Sequence, residues 1–227
     1  MGHSLPHKCI YCTANCAKKG LYKSVQKYYY RSCNKYQRHK YQYRITTGKD
    51  DDNIVQLNKE GMGISSISRY LCIAKTTVRR RILLISVKLQ SPEPELSEIN
   101  QVYEVDEMQT FIKRNHPSCY TYITYAINRV TKKVIDFVVG SRSKEVIGQI
   151  ICKLLSLSPR RIYTDGLNIY PSLIPSSVHR VFRYHTNTIE RNNLTLRTHI
   201  KRLNRKTICF SKSVAMLLAC LKLYFWN

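Results

Sequence analysis

Between residue 146 and residue 227 the chain carries only two carboxylates, Asp165 and Glu190, while residues 180–222 hold ten Lys/Arg. A third acid, Asp106, interrupts an apolar run beside Val105. Acids inside apolar segments are unfavourable unless they are paired or bind metal. Three acids converging from two strand positions and one helix suit a pair of Mg²⁺ (or Mn²⁺) ions ~3.5–4 Å apart. Such a site cuts or joins phosphodiester bonds, one ion activating water or a 3′-hydroxyl and the other steadying the leaving oxygen. With so many cations nearby, plain salt bridges are the competing explanation. Glu104, Glu107, Asp136 and Glu145 are competing carboxylates; in an alternating strand Glu104 shares the face of Asp106 and Glu107 lies on the other.

The elements that must position these acids follow from periodicity. Val102–Met108 alternates, and 120–127 and 134–139 are β-rich, with a turn signal near Asn128-Arg129-Val130-Thr131. Residues 145–157 have helical spacing (Val146, Ile147, Ile150, Ile151, Leu154, Leu155). Arg161-Ile162-Tyr163-Thr164 is a short buried strand ending at Asp165-Gly166, and helices follow at about 187–203 and 211–224. Asp165 thus stands at the carboxyl end of a strand, and Glu190 near the start of a long helix. Meandering strands, a helix, a strand and then helices give a mixed α/β domain, in an order similar to the ribonuclease H-like fold.

The chain has 227 residues and a formal charge of +24. A partner with dense negative charge is expected, and nucleic acid is the first candidate. A hydrophobic content of 43% excludes a wholly disordered chain. No apolar run approaches ~20 residues, so no membrane span is expected. The opening MGHSLPHKCIYC lacks the apolar region of a secretory signal. Nine cysteines, unevenly placed, then read as reduced thiols or metal ligands.

Charge divides the chain. Residues 1–49 hold 11 Lys/Arg and no acid; 50–101 hold 7 of each sign; 102–227 hold 20 Lys/Arg and 7 acids. The expected organisation is a basic cysteine-containing zinc-ribbon-like arm (1–49), a helix-turn-helix DNA-binding segment (50–87), a linker with two prolines and three glutamates (88–101), and a ribonuclease H-like catalytic domain (102–227). The arm is poor in aliphatics and rich in tyrosine and cations, a composition that stacks on bases and holds phosphates. In residues 50–87, apolar residues recur at Ile64, Ile67, Leu71 and at Val78, Ile82, Ile85, around a small-residue connection. This is the pattern of a helix-turn-helix whose wet face carries Thr76, Thr77, Arg79 and Arg80. A generic three-helix bundle is the alternative.

The segments Glu104-Val105-Asp106-Glu107, Tyr163-Thr164-Asp165-Gly166 and Thr188-Ile189-Glu190-Arg191-Asn192-Asn193-Leu194 resemble the three catalytic blocks of the insertion-sequence-one family of bacterial transposases. So does the stretch from Leu196-Arg197-Thr198-His199 through Phe210-Ser211-Lys212-Ser213, and the similarity runs over nearly the whole chain. The resemblance implies a DDE site of Asp106, Asp165 and Glu190 on a ribonuclease H-like domain, strand cleavage at element ends, and 3′-hydroxyl attack on target DNA. It implies that Arg197, seven residues after Glu190, contacts the element end; otherwise it is a surface arginine. The family opens with a zinc unit of two C-x-x-C pairs. Here Cys9 and Cys12 supply one pair, but the second reads Tyr30-Arg31-Ser32-Cys33, with tyrosine in place of a cysteine. Cys16, His7 and His39 are the available substitutes, each at an unusual spacing. The expected partners are double-stranded DNA and further copies of the chain assembled on it, in the cytoplasm at the nucleoid. The rival readings are a sequence-specific DNA-binding regulator with an inactive catalytic domain, and a nuclease that cuts without joining. The C-terminal helix is apolar nearly all round, which suggests packing on the sheet with surplus surface for a subunit contact.

Overall fold

The computed structural model describes residues 8–38, 48–113, 119–181, 187–205 and 208–227. The chain divides into two units, Met1–Thr46 and Thr47–Asn227. In the first, β1 (Ala17–Tyr22), β2 (Val25–Tyr30) and β3 (Lys35–Arg38) form an antiparallel sheet. The sequence suggests a zinc-ribbon-like arm here but assigns it no individual strands. Its β-propensity comes from tyrosine and valine rather than from an aliphatic alternation. Cations lie over several of these rings: Lys27 over Tyr36 at 4.1 Å, Lys35 over Tyr11 at 3.9 Å and Arg38 over Tyr22 at 4.0 Å.

The second unit is built on a mixed five-stranded sheet in the order β6-β5-β4-β7-β8. Strands β4 (Val102–Phe111), β5 (Tyr120–Asn128) and β6 (Val134–Gly140) form an antiparallel meander, and β7 (Arg161–Thr164) and β8 (His179–Val181) add parallel to β4. Asn128 sets the β5–β6 turn: its buried Oδ1 accepts from the backbone amides of Val130 at 2.9 Å and Thr131 at 3.2 Å. Helix α4 (Lys144–Ser156) crosses from β6 to β7 and buries Ile147, Ile150, Ile151 and Leu154 against Tyr103, Val105, Ala126, Ile135 and Ile162. Each such side chain contributes about 1.5–3 kcal/mol when fully buried. On the other face, α5 (Asn187–His199) and α6 (Val214–Phe225) cover Met108, Ile123, Tyr125, Ile127 and Phe137.

Three further helices, α1 (Gly48–Lys59), α2 (Ile64–Tyr70) and α3 (Lys75–Lys88), share a core with α6. Val78 and Ile82 of α3 and Ile54 and Ile67 pack with Met216, Ala219, Cys220 and Leu223, while Leu217 and Leu221 of α6 face the sheet core. This double engagement explains why α6 is apolar nearly all round. The surplus that suggested a subunit contact is used inside the unit. Ser213 caps α6 by accepting from the Met216 amide at 3.3 Å. The turn after α1 meets the end of α5 at Gly61, which has φ +74° and would place a Cβ 2.2 Å from the His199 carbonyl oxygen. Within 88–101, a single 3₁₀ turn at Leu96–Glu98 is closed by a capping box of Glu95 and Glu98. Tyr103 donates to the Glu98 carbonyl and Lys133 pairs with Glu95 at 2.9 Å, so this stretch is bound to the sheet.

Candidate active site

The parallel pairing of β4 with β7 brings the acids together. Glu104 is opposite Tyr163 in the last registered pair, and β7 ends at Thr164. Two residues further along each strand stand Asp106 and Asp165. Beyond Thr164 the β7-side edge of β4 has no partner strand. There Glu107, which points to the opposite face by alternation, also reaches the gap. Carboxylate oxygens of Asp106, Glu107 and Asp165 all lie within 4.8 Å of one another. Glu107 is therefore a member of the group that alternation alone had placed on the other face.

Each carboxylate has its own support. Asp106 Oδ1 accepts from the Glu107 amide at 2.8 Å and Oδ2 from Asn193 Nδ2 at 2.6 Å. Asp165 Oδ1 accepts from the Leu167 amide at 3.0 Å, closing the turn after β7. The side chain of Glu107 is fully buried, accepts from the Tyr170 hydroxyl and pairs with Arg142 at 2.8 Å. Arg142 also stands 3.5 Å from Asp165. Burial pushes the Asp106 carboxyl above its ordinary range; the Glu107 amide and Asn193 pull it down, and the charges of Asp165 and Glu190 push it up again. Burial likewise raises Glu107, against the Tyr170 hydrogen bond and with repulsion from Asp165. Carboxyls raised by burial and mutual repulsion are the state a divalent cation relieves.

Glu190 sits on the exposed first turn of α5 and lies outside the group of three converging carboxylates. It borders a cavity of about 840 Å³ that Asp106, Glu107, Asn193 and Arg197 also line. Helix α5 is placed by a buried carboxylate: Glu104 accepts from the Ile189 amide at 2.9 Å in the first turn and pairs with Arg129 at 3.2 Å. The Tyr125 hydroxyl lies 2.9 Å from Asn193 Oδ1 and 3.1 Å from the Ile189 carbonyl, and burial raises its pKa strongly. Arg197 borders the cavity, but its guanidinium donates to the carbonyls of Leu203 at 3.0 Å and Gln109 at 3.3 Å. Burial lowers its pKa, as does Arg205.

The other sequence-derived residues lie elsewhere in the chain. Thr76, Arg79 and Arg80 are exposed and Thr77 half-buried on the first turns of α3. Arg81, the third arginine of that run, donates from Nε and Nη2 to the two carboxylate oxygens of Asp51 of α1. In the first unit, thiols of Cys9, Cys12 and Cys33 lie within 4.8 Å of one another, with Cys9 and Cys33 3.6 Å apart. The Tyr11 amide donates to Cys9 Sγ at 3.3 Å, and hydrogen bonds outweigh burial to lower the Cys9 thiol, whereas burial raises Cys33 to about 11. The donor set fits a thiophilic ion such as zinc with three sulfurs. Tyr30 does not complete it: it is fully buried, its pKa is raised to about 12 by burial, and its hydroxyl reaches the Lys8 carbonyl at 3.5 Å. His7 and His39 lie outside the described residues. Among the described residues no helix is long and apolar enough to cross a membrane.

Comparison with known proteins places this geometry. The chain is 37% identical over 116 residues to the insertion element iso-IS1n protein InsB of Shigella dysenteriae, covering 50% of this chain and 85% of that one. It is 34% identical over 111 residues to the insertion element IS1 2 protein InsB of Escherichia coli K12, covering 49% of this chain and 65% of the relative. Among solved structures it is similar to a chain of the simian T-cell lymphotropic virus intasome in complex with PP2A regulatory subunit B56 gamma. That likeness has a TM-score of 0.37 and 14% identity over 74% of this chain and 66% of that one, and carries no argument here. Residues 101–224, the span that holds β4, β7, α5 and all four carboxylates of the site, match the family described as IS1 transposase, and the chain belongs to that family.

Proposed function

We propose that the protein is a DDE transposase that binds the ends of an insertion sequence and catalyses Mg²⁺-dependent strand cleavage and strand transfer. The observation that carries this reading is the convergence of Asp106 and Glu107, midway along β4, with Asp165, just past the end of β7, within 4.8 Å beside a cavity that Glu190 borders. In this reading the second unit is a ribonuclease H-like domain, and Asp106, Asp165 and Glu190 are its metal-binding acids. Mg²⁺ or Mn²⁺ held by these oxygens supplies Lewis-acid stabilisation of the charge that develops on the phosphate. Asn193 fixes the orientation of Asp106, the Leu167 amide fixes that of Asp165, and Arg142 offsets charge on Glu107 and Asp165. Arg197 and Arg205 line the cavity and would hold DNA phosphates near the acids.

Residues Thr76, Thr77, Arg79 and Arg80 would read the element end from the first turns of α3, as in a helix-turn-helix. The cysteine set of Cys9, Cys12 and Cys33 would hold zinc, with a fourth ligand other than Tyr30. Further copies of the chain would assemble on paired ends, in the cytoplasm at the nucleoid. The test is cleavage of labelled element-end DNA with Mg²⁺. Asp165→Asn is expected to reduce nicking to background, and full activity in that variant would end the assignment.

A second reading, a DNA-binding regulator with an inactive catalytic domain, is favoured by the position of Glu190 outside the carboxylate group. It predicts DNA binding without nicking in the wild-type protein at any Mg²⁺ or Mn²⁺ concentration.

A further inference from the structure

At the start of β4 and β7, before the carboxylates along both strands, a cavity of about 570 Å³ is lined by Val102, Arg129, Val130, Arg160, Arg161 and Tyr163. Three of the six lining residues are arginines, and none is an acid. Arg129 is held in place from behind: Glu104 pairs with it at 3.2 Å and its guanidinium lies 5.0 Å from the centre of the Tyr163 ring. Arg160 and Arg161 are exposed and make no ion pair with a described residue. Like charges gathered this way repel one another unless an anion is present.

Register ties the cavity to the acids. Val102 is opposite Arg161 and Glu104 opposite Tyr163. By alternation Arg161, Tyr163 and Asp165 therefore share one face of β7. The apolar layer beneath α5 and α6 draws on β4, β5 and β6 and takes no side chain from β7 or β8. This half of the sheet face is thus not covered by that layer. Four residues of strand separate Arg161 from Asp165, about 13 Å at ~3.3 Å per residue.

We infer that the Arg129–Arg160–Arg161 cavity is a phosphate site for duplex DNA, gripping the backbone about 13 Å from the phosphate presented to the carboxylates. The inference rests on the transposase reading for its choice of polyanion. A DNA backbone is favoured over a small phosphorylated ligand because the site lies on the same open strand face as the acids. Guanidiniums suit the role, since they present paired N–H donors to phosphate oxygens.

The test uses the full chain and a fluorescent duplex of random sequence, with affinity measured across a KCl series. Replacing Arg160→Gln and Arg161→Gln together removes two phosphate contacts. It should make the slope of log affinity against log salt shallower by about 1.8, at about 0.9 per contact. The doubly conservative variant, Arg160→Lys with Arg161→Lys, should restore the wild-type slope, because it keeps the charge. A Gln variant with the wild-type slope overturns the site, as does a Lys variant as weak as the Gln variant. Asp165→Asn separates the two claims. If it abolishes cleavage while the Gln variant keeps the full slope, only the cavity assignment fails. If it leaves cleavage intact while the slope falls, the transposase reading fails and the phosphate site stands.

Discussion

Asn193 donates a 2.6 Å hydrogen bond to Asp106 Oδ2, joining helix α5 to the strand that carries the first acid of the site. Glu190 is three residues earlier on the same helix, one turn away on the same side. The bond therefore sets the register between a carboxylate on the sheet and one on the helix. Asn193 is a positioning residue. Asn193→Ala is expected to lower turnover of element-end DNA by about tenfold or more, in line with losses seen for groups that orient metal ligands. The Mg²⁺ concentration for half-maximal activity should rise with it. Asn193→Asp would add a further like charge beside Asp106 and should be worse than Ala. An Ala variant with unchanged Mg²⁺ dependence would remove the assigned role.

Glu107 makes a separate prediction. Its oxygen lies with those of Asp106 and Asp165, whereas Glu190 is set apart. Glu107→Gln should weaken metal binding, read as a rightward shift of the Mn²⁺ concentration that raises Tm, because a bound ion stabilises the folded state by mass action. If Glu107→Gln leaves the thermal response to Mn²⁺ unaltered, Glu107 is only a partner of Arg142 and Tyr170.

The pH dependence of metal-free stability follows from the same cluster. Burial and the Asp165 charge raise both Asp106 and Glu107 above their unfolded values. The folded protein then binds more protons than the unfolded chain between the ordinary and the raised carboxyl pKa values, so this contribution to stability falls as pH rises through that window. Asp165→Asn removes a repelling charge and should flatten the contribution. Tm measured against pH in chelator, wild type minus variant, should become more negative as pH rises through that window. A constant difference would show that the three carboxyls do not interact.

Gly61 predicts a stability effect far from the chemistry. An added Cβ would meet the His199 carbonyl oxygen at 2.2 Å, on a backbone at φ +74°. Gly61→Ala should cost on the order of 2 kcal/mol or more, from left-handed strain together with backbone displacement. Gly63→Ala, which meets nothing within 4 Å, serves as the control. Equal unfolding midpoints for the two variants in urea would contradict the contact.

Much of the second unit could be read from the sequence because its signals were strong and local. The alternation from Val102, the β-rich runs of β5 and β6, and the spacing of Ile147, Ile150, Ile151 and Leu154 each specify one face of one element. Strand β8 was missed: three residues, His179-Arg180-Val181, are too short for alternation to register, and β7 supplies their pairing. The individual strands of the first unit were not assigned, because they are rich in tyrosine and lysine and lack an aliphatic alternation. At the site, the positions of Asp106 inside a strand and Asp165 just past the end of one were legible. The membership of Glu107 was not, since it depends on where the neighbouring strand stops. The engagement of Arg81 by Asp51 was equally hidden, because a run of arginines gives no sign of which one has a carboxylate opposite.

Helix α6 serves two cores at once, and it follows every other element of the unit in the chain. During synthesis, α1–α3 therefore emerge well before the surface they must close upon exists. Until α6 leaves the ribosome these helices have only one another, so the core they share with α6 and the layer α6 adds over the sheet should close together, after every other element of the unit has been made. A product cut short before Val214 would leave both cores open at once.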